Sequence, residues 1–334
     1  MVPEIPHAQP LVDPFGRVHD YLRISLVDKC NLRCTYCMPE NIRFLPQAQL
    51  MQADELLKIA ETFVQFGVKK IRLTGGEPLL RKDAHQIIRE LGKLPIDLAI
   101  TTNGILLDEF LDVFEEVGLR SINISLDTLD REQFMAITRR DLFEKVMANI
   151  QLALDRGFRI KLNMVVMRDI NTAELPAFVE MGRHKDLHLR FIEFMPFDGN
   201  EWNWEKVFGY DEIIDLLGTQ FDFDKLNDKP NSTSRGFKVS GFKGTFAVIS
   251  TVTKPFCESC NRLRLTAEGK MRNCLFARGE GDLLKALREG DDIAPLIIEN
   301  LGAKAAKLGG LPAFQDTEAL HAQLSSRAMV KIGG

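Results

Sequence analysis

Short β-type runs alternate with longer amphipathic helical patterns between about residue 20 and residue 195, and this alternation limits the possible folds more than any other feature. The predicted strands are residues 21–27, 69–75, 97–102, 120–126, 158–166 and 187–194. The predicted helices between them are residues 53–67, 82–94, 107–118 and 142–157. Strand followed by helix, repeated six times, indicates a parallel sheet with helices packed outside it.

The two faces of these strands differ in polarity. Successive side chains of a strand point to opposite faces, and here one face is apolar while the other is polar and rich in basic residues. The polar face carries Arg23, Ser25, Lys70, Arg72, Thr74, Asn123, Ser125, Asp127, Lys161, Asn163, His188 and Arg190. A parallel sheet covered on both faces has almost continuously hydrophobic strands, so this face is predicted to line a wet cavity. We therefore predict an α/β fold, an incomplete open (βα)6 barrel rather than a filled eight-unit one.

The pattern changes after residue 195. Residues 237–242, 244–251 and 262–276 resemble short antiparallel strands joined by Gly-containing turns, and residues 281–289 and 292–308 have helical patterns. We predict two parts: the barrel over residues 1–199, and a smaller C-terminal α+β region over residues 200–334 that closes it.

Composition excludes several functional classes. The 334 residues carry a formal net charge of −4, whereas general binders of nucleic acid or membrane surfaces normally show a basic excess. The N-terminal residues lack a basic stretch followed by an apolar run, and no apolar run approaches the length of about 18 residues that a membrane span needs. We predict a cytoplasmic protein with no nucleic-acid and no membrane partner.

All six cysteines fall into two groups of three. The first triplet is Cys30, Cys34 and Cys37, and the second triplet is Cys257, Cys260 and Cys274. Clustered cysteines in a cytosolic protein more often bind metal or carry out redox chemistry than form disulfides. Three thiolates suffice for an iron–sulfur cluster in which the protein does not bind one iron.

Zinc is the alternative for both triplets, because a structural zinc site needs a fourth ligand. Near the first triplet the candidates are poor, since His19 precedes the first strand and His85 lies in a helical pattern. Near the second triplet a distant ligand such as His321 leaves zinc open.

Polar residues also mark the carboxyl ends of the predicted strands, where ligands collect in βα folds. The stretches are TGGEP (74–78), TTNG (101–104), SLD (125–127) and EFMP (193–196). Taken singly, each fits a turn. Together, around the loop that holds the first triplet, they predict a binding site.

The basic residues of the polar face need an anionic partner. Together with two arginines beside the second triplet they are Arg23, Lys70, Arg72, Lys161, Arg190, Arg262 and Arg264. Individual members could pair with Asp127, Glu193 or Glu77. As a group they predict a small, strongly anionic ligand, because inward charges without one would repel each other. There is no GxxxxGK[ST] loop, so a nucleotide would not be held by a P-loop.

These motifs resemble a known family. The C-x3-C-x2-C spacing after the first strand, followed by GGEP, TTNG and SLD, resembles the radical S-adenosylmethionine superfamily. The C-x2-C-x13-C spacing, the stretch NRLRLT and the terminal Gly-Gly make the chain similar to the GTP 3′,8-cyclase family of lyases within it. The resemblance runs from about Arg23 to the last residue.

The resemblance implies a 4Fe–4S cluster on the first triplet, whose open iron binds S-adenosylmethionine. It implies that five residues contact this cofactor: Tyr36, Gly76, Thr101, Ser125 and Met195. The cleaved cofactor would give a 5′-deoxyadenosyl radical, with the protein positioning the reactants.

The resemblance also implies a second 4Fe–4S cluster on the second triplet, which binds the guanine of GTP. The seven basic residues would bind the triphosphate and purine. The catalytic residues would be Arg262, Arg264, Gly333 and Gly334, with an arginine supplying a proton and the Gly-Gly tail entering the site. The radical would abstract the ribose 3′ hydrogen, and C3′ would add to guanine C8. The product would be (8S)-3′,8-cyclo-7,8-dihydroguanosine 5′-triphosphate, in the first step of molybdenum cofactor biosynthesis.

Two alternatives remain at this stage. One is another two-cluster radical enzyme that acts on a peptide, and the other is a non-catalytic iron–sulfur or zinc protein. The cyclase interpretation further implies an electron donor for the first cluster and a downstream enzyme that takes the cyclic product. The sequence leaves the oligomeric state open, a homodimer included.

Overall fold

The computed structural model describes residues 9–315, 320 and 327–333. In this part of the chain twelve strands form one sheet. The strands are β1 (Tyr21–Ser25), β2 (Lys70–Thr74), β3 (Asp97–Thr102), β4 (Ser121–Ser125), β5 (Arg159–Val166), β6 (Leu187–Glu193), β7 (Phe223–Lys225), β8 (Arg235–Val239), β9 (Thr245–Ile249), β10 (Arg262–Leu265), β11 (Lys270–Arg272) and β12 (Gly281–Asp282). The helices are α1 (Ala53–Gln65), α2 (Ala84–Leu91), α3 (Leu111–Glu116), α4 (Arg131–Thr138), α5 (Phe143–Asp155), α6 (Leu175–Glu180), α7 (Tyr210–Gly218), α8 (Leu283–Glu289) and α9 (Ala294–Gly302).

The strand order is β12-β11-β10-β1-β2-β3-β4-β5-β6-β9-β8-β7. Strands β1 to β6 are parallel neighbours in chain order, joined through helices. The sheet does not close on itself, since β12 and β7 are its edges. The predicted α/β architecture, an incomplete open (βα)6 barrel, is confirmed.

The C-terminal strands extend this sheet at both edges. Strand β10 pairs in parallel with β1, and β9 pairs in parallel with β6. Antiparallel pairs, β10 with β11 and β8 with β9, complete the edges. The antiparallel hairpins were predicted, but the two parallel junctions were not. The division of the chain at residue 199 stays a prediction.

Several predicted boundaries need correction. The predicted helix 107–118 is a 3₁₀ turn (Leu107–Glu109) followed by α3, because Asn149 donates to Asp108 and to the backbone before it. The predicted helix 292–308 ends at Gly302, and the chain then turns toward the second triplet, where Leu308 donates its N–H to Cys257 Sγ. Helices α4 and α6 were not predicted.

The core lies between the apolar face of the sheet and the helices. Ile24, Leu73 and Ile122 on the strands are fully buried, as are Ile59 of α1 and Ile87 of α2. Burying this face leaves the other face of the sheet for polar residues. Within the described residues, none of the helices has both the length and the apolar character of a membrane span.

Candidate active site

One cavity of about 710 Å³ opens on the polar face of the sheet. Both cysteine triplets line it, as do the five residues predicted to contact the cofactor and the seven basic residues predicted to contact the substrate. Residues about 230 positions apart in the chain therefore meet in one site. The resemblance implied one site, with S-adenosylmethionine at the first triplet and GTP at the second, and in the structure both triplets line one cavity.

The loop of the first triplet is tied to the ends of neighbouring strands. Cys30 Sγ accepts hydrogen bonds from Leu32 N (3.4 Å) and from the Asn103 side-chain amide (3.7 Å), which follows β3. Tyr36 donates its hydroxyl to Asp127 Oδ2 at 2.8 Å, just beyond β4. Burial raises the pKa of Cys30 to about 11. These buried thiols stay protonated unless a metal cation stabilises the thiolate.

The glycines after β2 pack against the loop of the first triplet. A Cβ on Gly76 would lie 2.3 Å from the carbonyl oxygen of Lys29, so the close approach is to the backbone of the loop that leads to Cys30. Gly76 N also donates to Val27 O at 2.6 Å. Gly76 lines the cavity, and its contact with the cofactor stays a prediction.

The second triplet is held from two sides. Arg262 Nη2 donates to Cys260 Sγ at 3.6 Å, and Leu308 N donates to Cys257 Sγ at 3.4 Å. Arg17 donates to the carbonyl oxygens of Cys257 (2.8 Å), Ala306 (2.8 Å) and Ala305 (3.0 Å). Arg17 was not predicted as a site residue, because no role could be assigned to the first twenty residues from the sequence. Its only local signal is the turn in which Asp13 accepts from the N–H groups of Phe15 and Arg17.

The thiols fit an iron–sulfur cluster at each triplet. All six cysteines are free, and N–H donors point at Cys30, Cys257 and Cys260, as hydrogen bonds to ligating sulfurs do in iron–sulfur proteins. Among the described residues, no three His, Cys, Asp or Glu side chains converge on a point that could hold one metal ion. A polynuclear cluster needs its thiolates farther apart than a single ion does, so this spacing does not count against a cluster.

Two of the histidines considered as zinc ligands make other contacts in the structure. His19 Nε2 is 3.0 Å from Asp13 Oδ2, in the segment beside the second triplet rather than the first. His85 stacks on Phe110, with ring centroids 3.9 Å apart. His321 lies outside the described residues.

Strand register places three arginines side by side on the cavity wall. Arg23 of β1 lies opposite Arg264 of β10 on one side and opposite Arg72 of β2 on the other. Lys161 of β5 and Arg190 of β6 line the same cavity. The side chains converge because period-2 alternation and parallel register act together.

The carboxylates proposed as partners for these cations are engaged elsewhere. Asp127 accepts from Tyr36 and from Val165 N. Glu77 accepts from Thr102, Asn103 N and Leu79 N, and Glu193 accepts from Thr253 and nearby backbone.

Six of the cations that line the cavity are Lys70, Arg72, Lys161, Arg190, Arg262 and Arg264. Within the part of the chain that the structure describes, Lys70 is the only one of these six that forms an ion pair, and its partner is Asp97 at the start of β3.

Crowding shifts the pKa values of these groups. Burial, with Arg190 and Arg72 nearby, lowers the pKa of Lys161 to about 8. Burial and Arg72 lower the pKa of Arg190 to about 9. Nε and Nη2 of Arg190 are buried without a hydrogen-bond partner among the described residues. Buried cations in this state require an anion, since an unpaired buried charge is costly.

Tyr21 is a further cavity residue that was not predicted. Its hydroxyl accepts from Arg72 Nε at 2.5 Å, and Lys70 Nζ lies 5.8 Å from the centre of its ring. Burial raises the pKa of Tyr21, but Arg72, Arg23 and Lys70 outweigh burial and lower it to about 7. The alternation that selects Arg23 also includes Tyr21, so the pattern could have identified it. Residues of the polar loop 226–236 also line the cavity.

The C-terminal segment reaches this wall. Arg264 Nη1 donates to the carbonyl oxygens of Gly333 (3.1 Å) and Ile332 (3.4 Å). Gly333 has φ +78°, and a Cβ there would lie 2.8 Å from Thr74 Oγ1. Ala328 and Val330 pack with Met38 beside the first triplet. Gly334, the other predicted tail residue, lies outside the described residues.

Comparison with known proteins agrees with this geometry. A model of the radical SAM superfamily matches residues 24–182, and a model named Molybdenum Cofactor Synthesis C matches residues 187–308. The chain is 44% identical over 339 residues to the mitochondrial GTP 3′,8-cyclase of Arabidopsis thaliana, covering 98% of this chain and 85% of the relative. It is 42% identical over 336 residues to GTP 3′,8-cyclase of Listeria welshimeri, covering 98% of this chain and all of the relative. The chain belongs to the GTP 3′,8-cyclase family.

Other relatives of this GTP 3′,8-cyclase family are longer. The chain is 45% identical over 298 residues to Molybdenum cofactor biosynthesis protein 1 of Drosophila melanogaster and spans about half, 53%, of its length. Among solved structures, Streptococcus suis SuiB bound to S-adenosylmethionine superposes with a TM-score of 0.61 at 14% identity. The match covers 87% of this chain and 70% of SuiB. At that identity the likeness shows the fold alone. Membership of the radical SAM superfamily implies S-adenosylmethionine and an iron–sulfur cluster as cofactors.

Proposed function

We propose that the protein is a GTP 3′,8-cyclase, which converts GTP to (8S)-3′,8-cyclo-7,8-dihydroguanosine 5′-triphosphate. The observation that carries this proposal is the row of buried cations between two cysteine triplets in one cavity. The cations require a compact polyanion, and a triphosphate has the charge and the size for it. Relatives that this chain covers over most or all of their length are named for the same reaction.

The first triplet would hold a 4Fe–4S cluster that binds S-adenosylmethionine. When bound, this pair supplies a 5′-deoxyadenosyl radical on reduction. Tyr36, Gly76, Thr101, Ser125 and Met195 line the cavity near the strand ends and would orient the cofactor. The hydrogen bond from Tyr36 to Asp127 fixes the cysteine loop against β4, so the cofactor site would be preorganised.

The second triplet would hold a second 4Fe–4S cluster that binds guanine. Arg262, through its contact with Cys260, links this triplet to the arginine row. Arg23, Arg72, Lys161 and Arg190 would then bind the triphosphate, with Lys70 at the margin. The ribose would lie between the two triplets, where its C3′ hydrogen can face the radical and C3′ can reach C8 of the base.

Arg264 and Gly333 would act at the reacting centre. Burial lowers the pKa of Arg264 well below its usual range, which makes this guanidinium a better proton donor than an exposed arginine. Gly333 accepts from Arg264 and so would hold it in place, while Gly334 would extend the tail further into the site. Arg262 is the alternative donor. Exclusion of water by the tail would protect reactive species.

The proposal includes partners that act outside this chain. A low-potential electron donor would reduce the first cluster, and a downstream enzyme would take the cyclic product. A homodimer and a cytoplasmic location stay predictions, and one relative is named as mitochondrial.

The test is an anaerobic reconstitution followed by an iron count and a product assay. We expect about eight irons per chain, and formation of 5′-deoxyadenosine that depends on GTP in the presence of S-adenosylmethionine and reductant. About four irons, or 5′-deoxyadenosine formation that is indifferent to GTP, would contradict the cyclase. Zinc in place of iron would indicate a structural metal protein.

A further inference from the structure

Lys304 is a buried cation beside the second triplet. It follows the end of α9, and its backbone N–H is bonded to Leu301 O. The residue is only 5% exposed. Its Nζ donates a hydrogen bond to the carbonyl oxygen of Asn273, the residue that precedes Cys274. The ammonium group therefore contacts the backbone that presents a cysteine of the triplet.

No carboxylate pairs with Lys304 among the residues that the structure describes. Its neighbour Arg17, by contrast, is paired with Asp13 at 2.5 Å. A buried ammonium that lacks a counter-ion destabilises the fold, because desolvation of the charge is not compensated. Lys304 does not line the cavity, so the triphosphate is not its counter-ion. The second triplet is the candidate counter-ion, because Lys304 contacts the carbonyl oxygen of the residue before Cys274 and its charge acts on the Cys260 thiol.

The charged groups that act on the first triplet are carboxylates rather than cations. Glu77 acts on Cys30, and Asp127 acts on Cys34 and Cys37. Carboxyl groups therefore lie beside the first triplet and cations beside the second, with burial raising the pKa of Glu77 to about 7 and that of Asp127 to about 6. The reduction potential of an iron–sulfur cluster rises with positive charge nearby, because reduction adds one negative charge to the cluster.

We propose that Lys304 is the fixed counter-charge of the cluster on Cys257, Cys260 and Cys274, and that it raises the reduction potential of this cluster. The proposal rests on the second cluster of the proposed function. The step is a one-electron reduction by an external low-potential donor, with no bond made or broken and no proton transferred. Lys304 touches neither substrate nor the sulfurs, so it acts on the cluster through space and through Asn273.

The experiment is an anaerobic redox titration of the full-length, reconstituted protein, followed by electron paramagnetic resonance. Lys304→Met and Lys304→Gln remove the charge, and the glutamine can still donate to Asn273. Lys304→Arg keeps the charge. Lys307→Gln is the matched control, because Lys307 lies near the same loop but is 66% exposed at its side chain and paired with Glu258.

We expect the midpoint of the second cluster to move to more negative potential in both neutral variants. The arginine variant and the Lys307 control should stay close to the unsubstituted protein, as should the first cluster in every variant. If a neutral variant holds both clusters and its midpoint is unmoved, the inference is overturned.

Some of the variants could fail to hold the second cluster, and the pattern of loss also tests the proposal. Loss from both neutral variants with retention in Lys304→Arg would support the counter-charge role, whereas loss from all three would overturn it in favour of a packing role. An unsubstituted protein that binds only one cluster would instead overturn the proposed function, and this inference with it.

Discussion

Arg264 and Gly333 are joined by a hydrogen bond of 3.1 Å from the guanidinium Nη1 to the carbonyl oxygen. This contact connects β10 to a segment at the other end of the C-terminal region. It places main chain of the tail against Thr74 and Ser25, at the ends of β2 and β1. The tail therefore packs against Thr74 and Arg264, two residues that line the cavity.

Gly333→Ala should lower product formation about tenfold or more. The left-handed backbone costs a non-glycine residue about 1–2 kcal/mol, and the new Cβ would meet Thr74 Oγ1 at 2.8 Å. The tail would therefore leave the wall, while iron content and S-adenosylmethionine binding should be kept. Gly118→Ala is the matched control, because φ is +70° there and no atom lies within 4 Å of the added Cβ. Equal activity of the two variants would contradict a role for the tail.

Lys161→Met should weaken GTP binding and change its pH dependence. The pKa of Lys161 is about 8 in the protein without substrate, so the ammonium is lost as the pH rises through that value. GTP affinity of the unsubstituted protein should fall between about pH 7 and pH 9, and the fall should be smaller in the variant. Equilibrium binding at fixed ionic strength measures both. Lys185→Met, on the exposed surface, should change neither quantity.

Tyr21→Phe should weaken GTP binding at low pH and flatten its dependence near neutrality. Removing the hydroxyl leaves Arg72 Nε without this partner, so the guanidinium is held only through Nη1, which donates to Ile100 O at 2.7 Å. Because the pKa of Tyr21 is about 7, the unsubstituted protein gains a negative charge in the anion site as the pH rises from about 6 to 8. The lowered pKa also stabilises the fold at alkaline pH, and this contribution is lost as the pH falls through 7. A tyrosinate absorbance change near neutrality that persists in the variant would contradict this assignment.

Cys274→Ala should separate the two halves of the chemistry. The first triplet is intact in this variant, so S-adenosylmethionine cleavage should be retained in some measure. GTP affinity should fall about tenfold or more, which corresponds to about 1.4 kcal/mol, because the second cluster would lose a ligand. Cys37→Ala is the converse control, with GTP binding kept and cleavage lost. Unchanged GTP affinity in Cys274→Ala would refute the role of the second triplet.

The sequence allowed the six-strand frame and the polar face to be predicted because both depend on local periodicity. Alternation along β1 determines that Arg23 and Ser25 share a face, whatever the rest of the chain does. The cysteine spacings are local in the same sense. For this reason the members of the candidate site could be named with few omissions.

Features that depend on contacts between distant residues could not be predicted. The parallel pairing of β10 with β1 joins residues about 240 apart, and nothing in either strand specifies that partner. The hydrogen bond from Arg17 to the carbonyl oxygen of Cys257 spans a similar separation in sequence. The two glycines after β2 are evident in the sequence. That Gly76 lies against the backbone of Lys29 depends on how the loop packs, and the sequence does not show it.

The most direct test of the cyclase is the fate of the ribose 3′ hydrogen. The reconstituted protein is given S-adenosylmethionine, reductant and GTP labelled with deuterium at C3′, and the 5′-deoxyadenosine is analysed by mass spectrometry. We expect one deuterium in the 5′-deoxyadenosine and formation of the cyclic triphosphate at the same rate. Unlabelled 5′-deoxyadenosine formed at the same rate with and without GTP would contradict it.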